Sequence, residues 1–177
     1  MTGCGGSAPK PQEQKPDFRC KQENVLAPEW TCTPQLDGYY AGLGVAQKSA
    51  AGMGHMRRVA LANGRSDLAQ QIKSQVKDKV ETFTGTTGIG KAETVDTTTK
   101  AVSKQLAKVD LQGSKGVKSW TAPSGALYLL VVVPESSVNK VVKDTIKTSL
   151  HNDSAAWQQF QAKNAMQELD KAFPTDK

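Results

Sequence analysis

The longest apolar run in the chain, residues 126–133, is eight residues long and limits what the chain can fold into. A membrane-spanning helix needs about 18 or more apolar residues, so this run is too short to be one. Its length is typical of a buried β-strand. A Pro-Ser-Gly turn at 123–125 precedes the run, and residues 116–122 alternate as a partner strand does. The sequence therefore predicts a β-hairpin, which Pro134 ends.

Apolar residues at helical spacing predict a long first helix from about residue 49 to residue 83. The residues of its apolar face are Leu61, Leu68, Ile72, Val76, Val80 and Phe83, and Met53 and Met56 extend that face toward the N-terminus. Gly64 interrupts the pattern, because glycine costs about 1 kcal/mol relative to alanine inside a helix. The helix therefore either bends or breaks at Gly64, or a neighbouring backbone comes close there.

Three more helices follow from the same spacing. A second helix is predicted over 93–109, and a third, capped by Ser136 or Ser137, ends at Leu150. Residues 151–154 are predicted to break the chain before a last helix that Asp153 or Ser154 caps. Its apolar stripe consists of Trp157, Phe160, Ala165, Leu169 and Phe173. This helix either folds back on the core or presents Trp157 and Phe160 to another chain.

The order of elements predicts an α+β fold. Residues 39–46 form a glycine-bearing first strand, so the order is strand, helix, helix, strand, strand, helix. We expect a small, mostly antiparallel sheet packed by helices, with an amphipathic helix at the C-terminus. The predicted division is a tether over 1–26, an α+β domain over 27–150 and a C-terminal helical extension over 151–177.

The N-terminus resembles the end of a bacterial lipobox, in which small residues precede a cysteine. Here Thr2 and Gly3 precede Cys4. The resemblance implies that the Cys4 thiol takes a lipid and becomes the N-terminus, with Met1 standing in for the end of a removed signal sequence. A polar, proline-bearing stretch then runs to about Lys15 and predicts a flexible tether, which makes residues 1–26 a lipobox remnant and tether. The alternative is a flexible leader with an incidental thiol.

Cys20 and Cys32 are the other two cysteines of the chain. In an exported protein they are expected to form a disulfide, which would close a loop and stabilise the fold by roughly 3 kcal/mol. In a cytosolic protein they would be two free thiols.

No constellation of residues predicts catalysis. His55 and His151 have no partner at ligand spacing, and three cysteines and two histidines are too few for a zinc cluster of the usual kinds. The glycine-rich residues 84–90 lack the P-loop pattern and predict a mobile loop. The net charge of +6 is spread along the chain, without the basic stripe and interleaved aromatics of a nucleic-acid binder. We therefore expect a protein that is not an enzyme, holds no metal or cofactor and binds no nucleic acid.

Several segments together resemble the twenty-kilodalton bacterial outer-membrane lipoprotein family, which includes a flagellar lipoprotein. The predicted strand at 126–133 and the predicted helix at 137–150 match the closing strand and helix of the family, and three earlier segments are more distinctive. They are Ala-Pro-Glu-Trp at 27–30, the glycine-bearing strand at 39–46, and residues 60–69, which are similar to a helical Asn-Ala-Arg-x-x-Leu-Ala signature. Gly64 stands where the family has alanine. The likeness covers roughly residues 27–150. It implies a domain anchored in the outer membrane by an acylated cysteine, carrying diacylglycerol and an acyl chain such as palmitate, and facing the periplasm. It brings no catalytic residues.

The expected function follows from that resemblance, because some relatives assemble into rings or discs around the flagellar motor. We expect a non-catalytic structural or assembly protein that contacts itself, as a homo-oligomer, or other envelope or flagellar proteins. Exposed strand edges and the helix that carries Trp157 and Phe160 are the expected contacts. The alternative is a monomeric envelope module that binds peptidoglycan or a small molecule in a pocket beneath residues 84–90.

Overall fold

A three-stranded antiparallel sheet stands at the centre of the fold, and a computed structural model describes residues 17–108 and 113–175. The elements in chain order are β1 (Lys21–Gln22), β2 (Val25–Leu26), a short 3-10 turn (Glu29–Thr31), β3 (Tyr39–Ala46), α1 (Met53–Thr87), α2 (Ala92–Lys108), β4 (Lys115–Thr121), β5 (Leu127–Pro134), α3 (Glu135–His151), α4 (Ser154–Ala162) and α5 (Ala165–Ala172). This architecture confirms the predicted α+β class.

The predicted hairpin is present, and its second strand lies in the middle of the sheet. The strand order is β3, β5, β4, and both pairings of β5 are antiparallel. Leu130, Val131 and Val132 are fully buried because the sheet is covered on both faces. An almost continuous apolar run is typical of a strand in that position. A β-bulge between Gly116 and Lys118 interrupts the pairing of β4.

The helices cover one face of the sheet, which we call the helix face. The main apolar core lies between them, and its buried members from α1 are Leu68, Ile72, Val76, Val80 and Phe83. The predicted apolar face of α1 is correct over these residues and at Met56. Met53, however, is 45% exposed, because it lies at the first residue of the helix, beyond the sheet contact.

Helix α1 does not bend or break at Gly64, because the close approach of another backbone explains the glycine. A Cβ on Gly44 of β3 would overlap the carbonyl oxygen of Ala60, and one on Gly42 would lie 2.5 Å from the backbone nitrogen of Leu68. A Cβ on Gly64 would overlap the side chain of Val131. Helix and strand therefore meet backbone to backbone, and only residues without a side chain fit there.

The outer edge of β3 is capped by side chains of the same helix. The backbone N–H of Leu43 donates to Asp67 Oδ2 at 2.8 Å, and the Asn63 side-chain amide donates to the carbonyl oxygen of Val45 at 2.8 Å. The other edge strand, β4, carries Lys115 and Lys118 beside its bulge. Lysines and bulges on an edge strand disfavour pairing with another strand.

The prediction of a mobile loop over residues 84–90 is wrong for residues 84–87, which are helical, whereas residues 88–90 do lie outside the helices. Helix α1 continues through Thr87 and ends at Gly88, whose φ of 59° is in the left-handed region that favours glycine. The Thr84 and Thr87 hydroxyls donate to carbonyl oxygens one turn earlier. Ile89, directly after the helix, is only 1% exposed. Burial of this stretch against the core outweighs the low helix propensity of threonine and glycine.

The predicted cap of the third helix is also wrong. Helix α3 begins at Glu135, directly after β5, and no side chain caps its first turn. The Glu135 N–H instead donates to the carbonyl oxygen of Gly38 at 3.0 Å. Ser136 and Ser137 lie inside the helix. Val109, the predicted end of the second helix, lies outside the described residues, which follow that helix to Lys108.

The C-terminal extension folds back on the core, one of the two arrangements that the sequence left open. The predicted break after α3 is confirmed, and Asp153 caps α4 by accepting from the Ala156 N–H at 3.1 Å. The single predicted last helix is divided in two, because Asn164 adopts a left-handed conformation with a φ of 48°. The core-facing side chains of α4 and α5 then meet the other helices.

Among the helices of residues 17–108 and 113–175, none combines the length and the apolar composition of a membrane-spanning segment.

Candidate functional site

The N-terminal residues 17–38 lie on the side of the sheet opposite the helices, and we call this segment the stem and that side the stem face. Trp30 and Leu36 of the stem pack against Ala41, Leu130 and Val132 of the sheet. Alternate residues of a strand point to opposite faces, so Val131 and Val133 face the helices while Leu130 and Val132 face the stem. The stem thus gives the sheet its second cover.

A disulfide closes the stem. Cys20 and Cys32 are bonded, with their Cα atoms 5.9 Å apart, which confirms the predicted pairing. Cys20 is 7% exposed, and Thr31 beside Cys32 is buried, with its hydroxyl donating to the Pro28 carbonyl oxygen at 2.8 Å. The bridge therefore joins the first and middle parts of the stem where the stem contacts the domain.

The stem begins with a small hairpin that is tied to the β4–β5 turn. Strands β1 and β2 pair through a turn at Glu23 and Asn24, which have φ values of 52° and 63°. The Glu23 carboxylate accepts hydrogen bonds from the Ser124 backbone N–H at 2.9 Å and from the Ser124 hydroxyl at 2.5 Å. These contacts hold the hairpin against the sheet at the end where β4 turns into β5.

Charged and exposed apolar side chains share the start of the stem. Asp17 pairs with Arg19 at 2.9 Å and with Lys21 at 2.8 Å. The hydrogen bond from Arg19, followed by that from Lys21, holds the pKa of the Asp17 carboxyl well below its usual range. Phe18 between them is 91% exposed, and Leu26 of the hairpin is 53% exposed.

The predicted lipidation residue, Cys4, lies outside the described residues. It precedes the stem by 13 positions, counted from Cys4 to Asp17 in the sequence. Whatever attaches to Cys4 therefore acts on the domain through the stem.

The two predicted contact residues occupy different environments. Phe160 is 3% exposed and belongs to the main core, so it faces the chain's own helices. Trp157 is half-buried and stacks on Phe160, with ring centroids 5.3 Å apart and an angle of 10° between the rings. His151 contacts Trp157 in an edge-to-face arrangement, with ring centroids 4.9 Å apart. Of the pair, Trp157 alone keeps an exposed surface.

Buried hydrogen bonds connect the C-terminal segment to the sheet, and the sequence patterns did not predict them. The Tyr40 hydroxyl of β3 donates to Asn139 Oδ1 at 3.1 Å, and Asn139 Nδ2 donates to the carbonyl oxygen of Pro174 at 2.8 Å. Burial, with a smaller contribution from the charge of Glu135, raises the pKa of Tyr40 to about 12. Asn139 is fully buried. Its position among the apolar residues of a predicted helix was the sequence signal that could have indicated a buried hydrogen bond.

A shallow groove of about 450 Å³ lies beside Gly90, close to the predicted pocket. Polar side chains of three helices line it, among them Thr94, Thr97, Ser149, Asn152 and Gln159. Several of these groups already have partners: the Thr94 hydroxyl donates to Asp153 Oδ2 at 2.8 Å, and Gln159 Oε1 accepts from the Gly90 N–H at 2.9 Å. The groove is thus polar, and the Thr94 and Gln159 side chains are held by contacts within the chain.

Residues of the Ala60–Ala69 signature serve the packing of α1 on β3. Gly64 permits the close approach, and Asn63 and Asp67 cap the strand edge. Across residues 17–108 and 113–175, histidine, cysteine and carboxylate side chains form no group of three or more that could hold a metal ion.

Comparison with protein families identifies the family of the chain. The sequence model of the LPP20 lipoprotein family matches residues 28–134, from the middle of the stem to the end of β5. The match therefore includes the sheet, helices α1 and α2, and Cys32 of the disulfide. No curated protein matches the chain.

Proposed function

The chain belongs to the LPP20 lipoprotein family, and from this premise we propose that it is a non-catalytic lipoprotein of the outer membrane. In this proposal Cys4 carries diacylglycerol and an acyl chain such as palmitate, and the folded domain faces the periplasm. The domain acts as a structural or assembly protein through contacts with proteins, either further copies of itself or other envelope and flagellar proteins.

The disulfide of the stem is the observation that carries the proposal. Disulfides form and persist in oxidising compartments such as the periplasm and are rare in the cytosol. The chain has three cysteines, so the Cys20–Cys32 bond leaves Cys4 as the remaining thiol. The bridge also lies where a force applied through Cys4 would enter the domain.

The role of the family signature supports a function through contacts. Asn63, Gly64 and Asp67 hold α1 against β3, so these signature residues maintain the packing of the domain. The capped edge of β3 and the lysine-bearing edge of β4 both act against strand addition. We therefore propose that assembly uses side-chain surfaces, among which Trp157 is a candidate.

The lipid anchor is tested in cells that receive labelled palmitate. Label should enter the protein, and Cys4→Ala should abolish it. The matched control is Cys20→Ser combined with Cys32→Ser, which should keep the label because both residues lie outside the lipobox. Unlabelled protein whose Cys4 thiol is free by mass spectrometry would reject the anchor.

Assembly is tested by analytical ultracentrifugation of the purified domain. We expect oligomers, which Trp157→Ala should weaken without lowering the unfolding midpoint much, since Trp157 is half-buried. The control Phe160→Ala should instead destabilise the fold, because Phe160 belongs to the core. A monomer at all concentrations would contradict the homo-oligomer and leave contacts with other proteins as the proposed mode.

The location of a tagged copy in living cells distinguishes flagellar from general envelope partners. Flagellar partners predict concentration at a flagellar pole, and general envelope partners predict a spread over the envelope.

The groove beside Gly90 favours a second candidate, a monomeric module that binds peptidoglycan or a small molecule. Its threonine, serine and asparagine side chains offer the neutral hydrogen-bonding groups that sugars take. Ligand binding raises stability in proportion to ligand concentration. Soluble peptidoglycan fragments should then raise the unfolding temperature, and Thr97→Val should remove that increase; an unchanged temperature would reject this candidate.

A further inference from the structure

Exposed apolar side chains are concentrated in the first part of the stem. Six large apolar side chains are exposed among the described residues, and three of them, Phe18, Val25 and Leu26, lie within nine consecutive positions. We call these three residues the apolar foot. Their exposed fractions are 91%, 39% and 53%. The other three, Met53, Val117 and Met166, lie on separate elements.

The hairpin that carries Val25 and Leu26 of the foot is held in place. The β1–β2 pairing sets Lys21 opposite Leu26 and Gln22 opposite Val25. The Glu23–Ser124 hydrogen bonds tie the turn of this hairpin to the sheet, and the disulfide begins at Cys20, two residues after Phe18. Such an arrangement presents apolar groups to a partner with little further loss of conformational freedom.

We propose that the apolar foot contacts the lipid surface to which Cys4 is anchored and turns the stem face of the domain toward that surface. This inference rests on the proposed lipidation of Cys4. Phe18 lies 14 positions after Cys4, so the chain cannot carry Phe18 farther than about 50 Å from the anchored residue. A bilayer surface is therefore within reach of the foot whenever Cys4 is anchored.

The composition of the foot suits an interface with lipid. Phenylalanine and leucine are typical of the apolar side of segments that lie in the headgroup region, and basic side chains are typical of their flanks. Arg19 and Lys21 have these flanking positions, but Asp17 pairs with both of them. The attraction is thus apolar, and it should differ little between neutral and anionic lipids.

The orientation of the domain follows from the foot. The stem covers one face of the sheet and the helices cover the other. With the foot in contact with lipid, the helix face points away from the surface. Trp157 and the groove beside Gly90 then lie on the side away from the lipid, where they are accessible to partner proteins.

The experiment couples the full chain to vesicles through Cys4, which is the one free thiol when Cys20 and Cys32 are bonded. The vesicles contain phosphatidylcholine and a maleimide-bearing lipid, and matched vesicles carry bromine on the lipid chains, which quenches nearby indoles. The probe is Phe18→Trp, and the matched control is Met166→Trp on α5, where Met166 is 39% exposed. The emission of the chain's own three tryptophans is measured in the unsubstituted protein and subtracted.

We expect brominated lipid to remove most of the added Phe18→Trp emission and little of the Met166→Trp emission, on neutral and anionic vesicles alike. Leu26→Trp should be quenched in the same way as Phe18→Trp. Equal quenching at Phe18 and Met166, or none at Phe18, would overturn the proposal. Quenching that appears only with phosphatidylglycerol would also overturn it, because the contact would then be electrostatic.

The outcome is separable from that of the proposed function. Coupling by maleimide needs no cellular acylation, so a foot that contacts lipid can be observed even if Cys4 proves unmodified in cells. Conversely, acylated Cys4 in cells together with an unquenched Phe18→Trp indole would retain the anchor and reject the foot.

Discussion

The two faces of the central sheet are covered in different ways. On the helix face, a 35-residue helix approaches β3 until backbone meets backbone at Gly42 and Gly44. On the stem face, a short segment contributes a few apolar contacts from Trp30 and Leu36 and is closed by a disulfide. A long helix buries enough apolar surface to hold itself in place, whereas a short irregular segment does not.

The difference shows where a covalent bond is useful. The helix face is stabilised by many buried side chains, and removing any one of them should affect the whole domain. The stem has few such contacts. The disulfide stabilises the stem, which has fewer packing contacts with the sheet than the helices have.

The largest effect is expected on the helix face from Gly44→Ala. The added Cβ would overlap the Ala60 carbonyl oxygen, and neither backbone can move aside without separating strand from helix. We expect a loss of more than about 4 kcal/mol in the free energy of unfolding, measured by urea denaturation. The control Gly85→Ala meets nothing within 4 Å and should stabilise α1 by about 0.5 to 1 kcal/mol. Equal midpoints for the two variants would disprove the close approach.

The next effect is expected from Phe173→Ala, which removes a fully buried ring from the core on the same face. Large-to-small changes of this kind cost about 3 to 5 kcal/mol. Thermal unfolding followed by circular dichroism should show the loss as one cooperative transition. A small early transition confined to α4 and α5 would instead show that the C-terminal extension unfolds independently.

On the stem face, replacing both cysteines by serine should cost about 3 kcal/mol or less. The loop closed by Cys20 and Cys32 is short, and loss of its restraint acts mainly on the unfolded chain. Hydrogen exchange should accelerate most in residues 20–32, while the amides of α1 should lose only the protection that the lower global stability removes. A loss of protection in α1 larger than the measured global loss of stability would mean that the two faces are not separable in this way.

The smallest effect is expected from Tyr40→Phe, which removes the hydrogen bond to Asn139 at 3.1 Å and should cost about 1 kcal/mol at neutral pH. The pKa of Tyr40 is raised from 10.0 to about 12 in the folded protein, so the unfolded chain loses this proton first. Stability from this group is complete below pH 10.0 and is lost as the pH rises through about 12. Denaturation at several alkaline pH values should show a shallower decline for Tyr40→Phe, and parallel declines would exclude Tyr40 as a cause.

Much of the fold could be predicted because its signals are local. The apolar run at 126–133, the Pro-Ser-Gly turn before it and the helical spacing from Leu68 to Phe83 each report on neighbouring residues. The Asp153 cap is of the same kind, since its carboxylate reaches a backbone N–H three residues away. The Cys20–Cys32 pair was predicted from its count and spacing, and the structure bears it out.

The errors lie where a distant contact decides the local structure. Residues 84–87 stay helical because Phe83, Thr84 and Ile89 are buried. Helix α3 starts without a side-chain cap because Gly38, far away in the sequence, accepts its first N–H. Phe160, a predicted contact residue, is buried because the C-terminal extension folds back on the core. The lipidation of Cys4 and the contact of Trp157 with another protein stay predictions.

The sequence by itself determined the types of the main elements, their order and the family, and it identified Cys20 and Cys32 as the pair that an exported protein would bond. Periodicity, turn residues and short-range capping act within one turn or one hairpin, so they can be read along the chain. Only the tertiary structure decided that β5 lies between β3 and β4, that Gly64 faces β3, and that the stem and the helices take opposite faces. These features depend on which surfaces meet across long stretches of chain, and packing of the whole domain selects them.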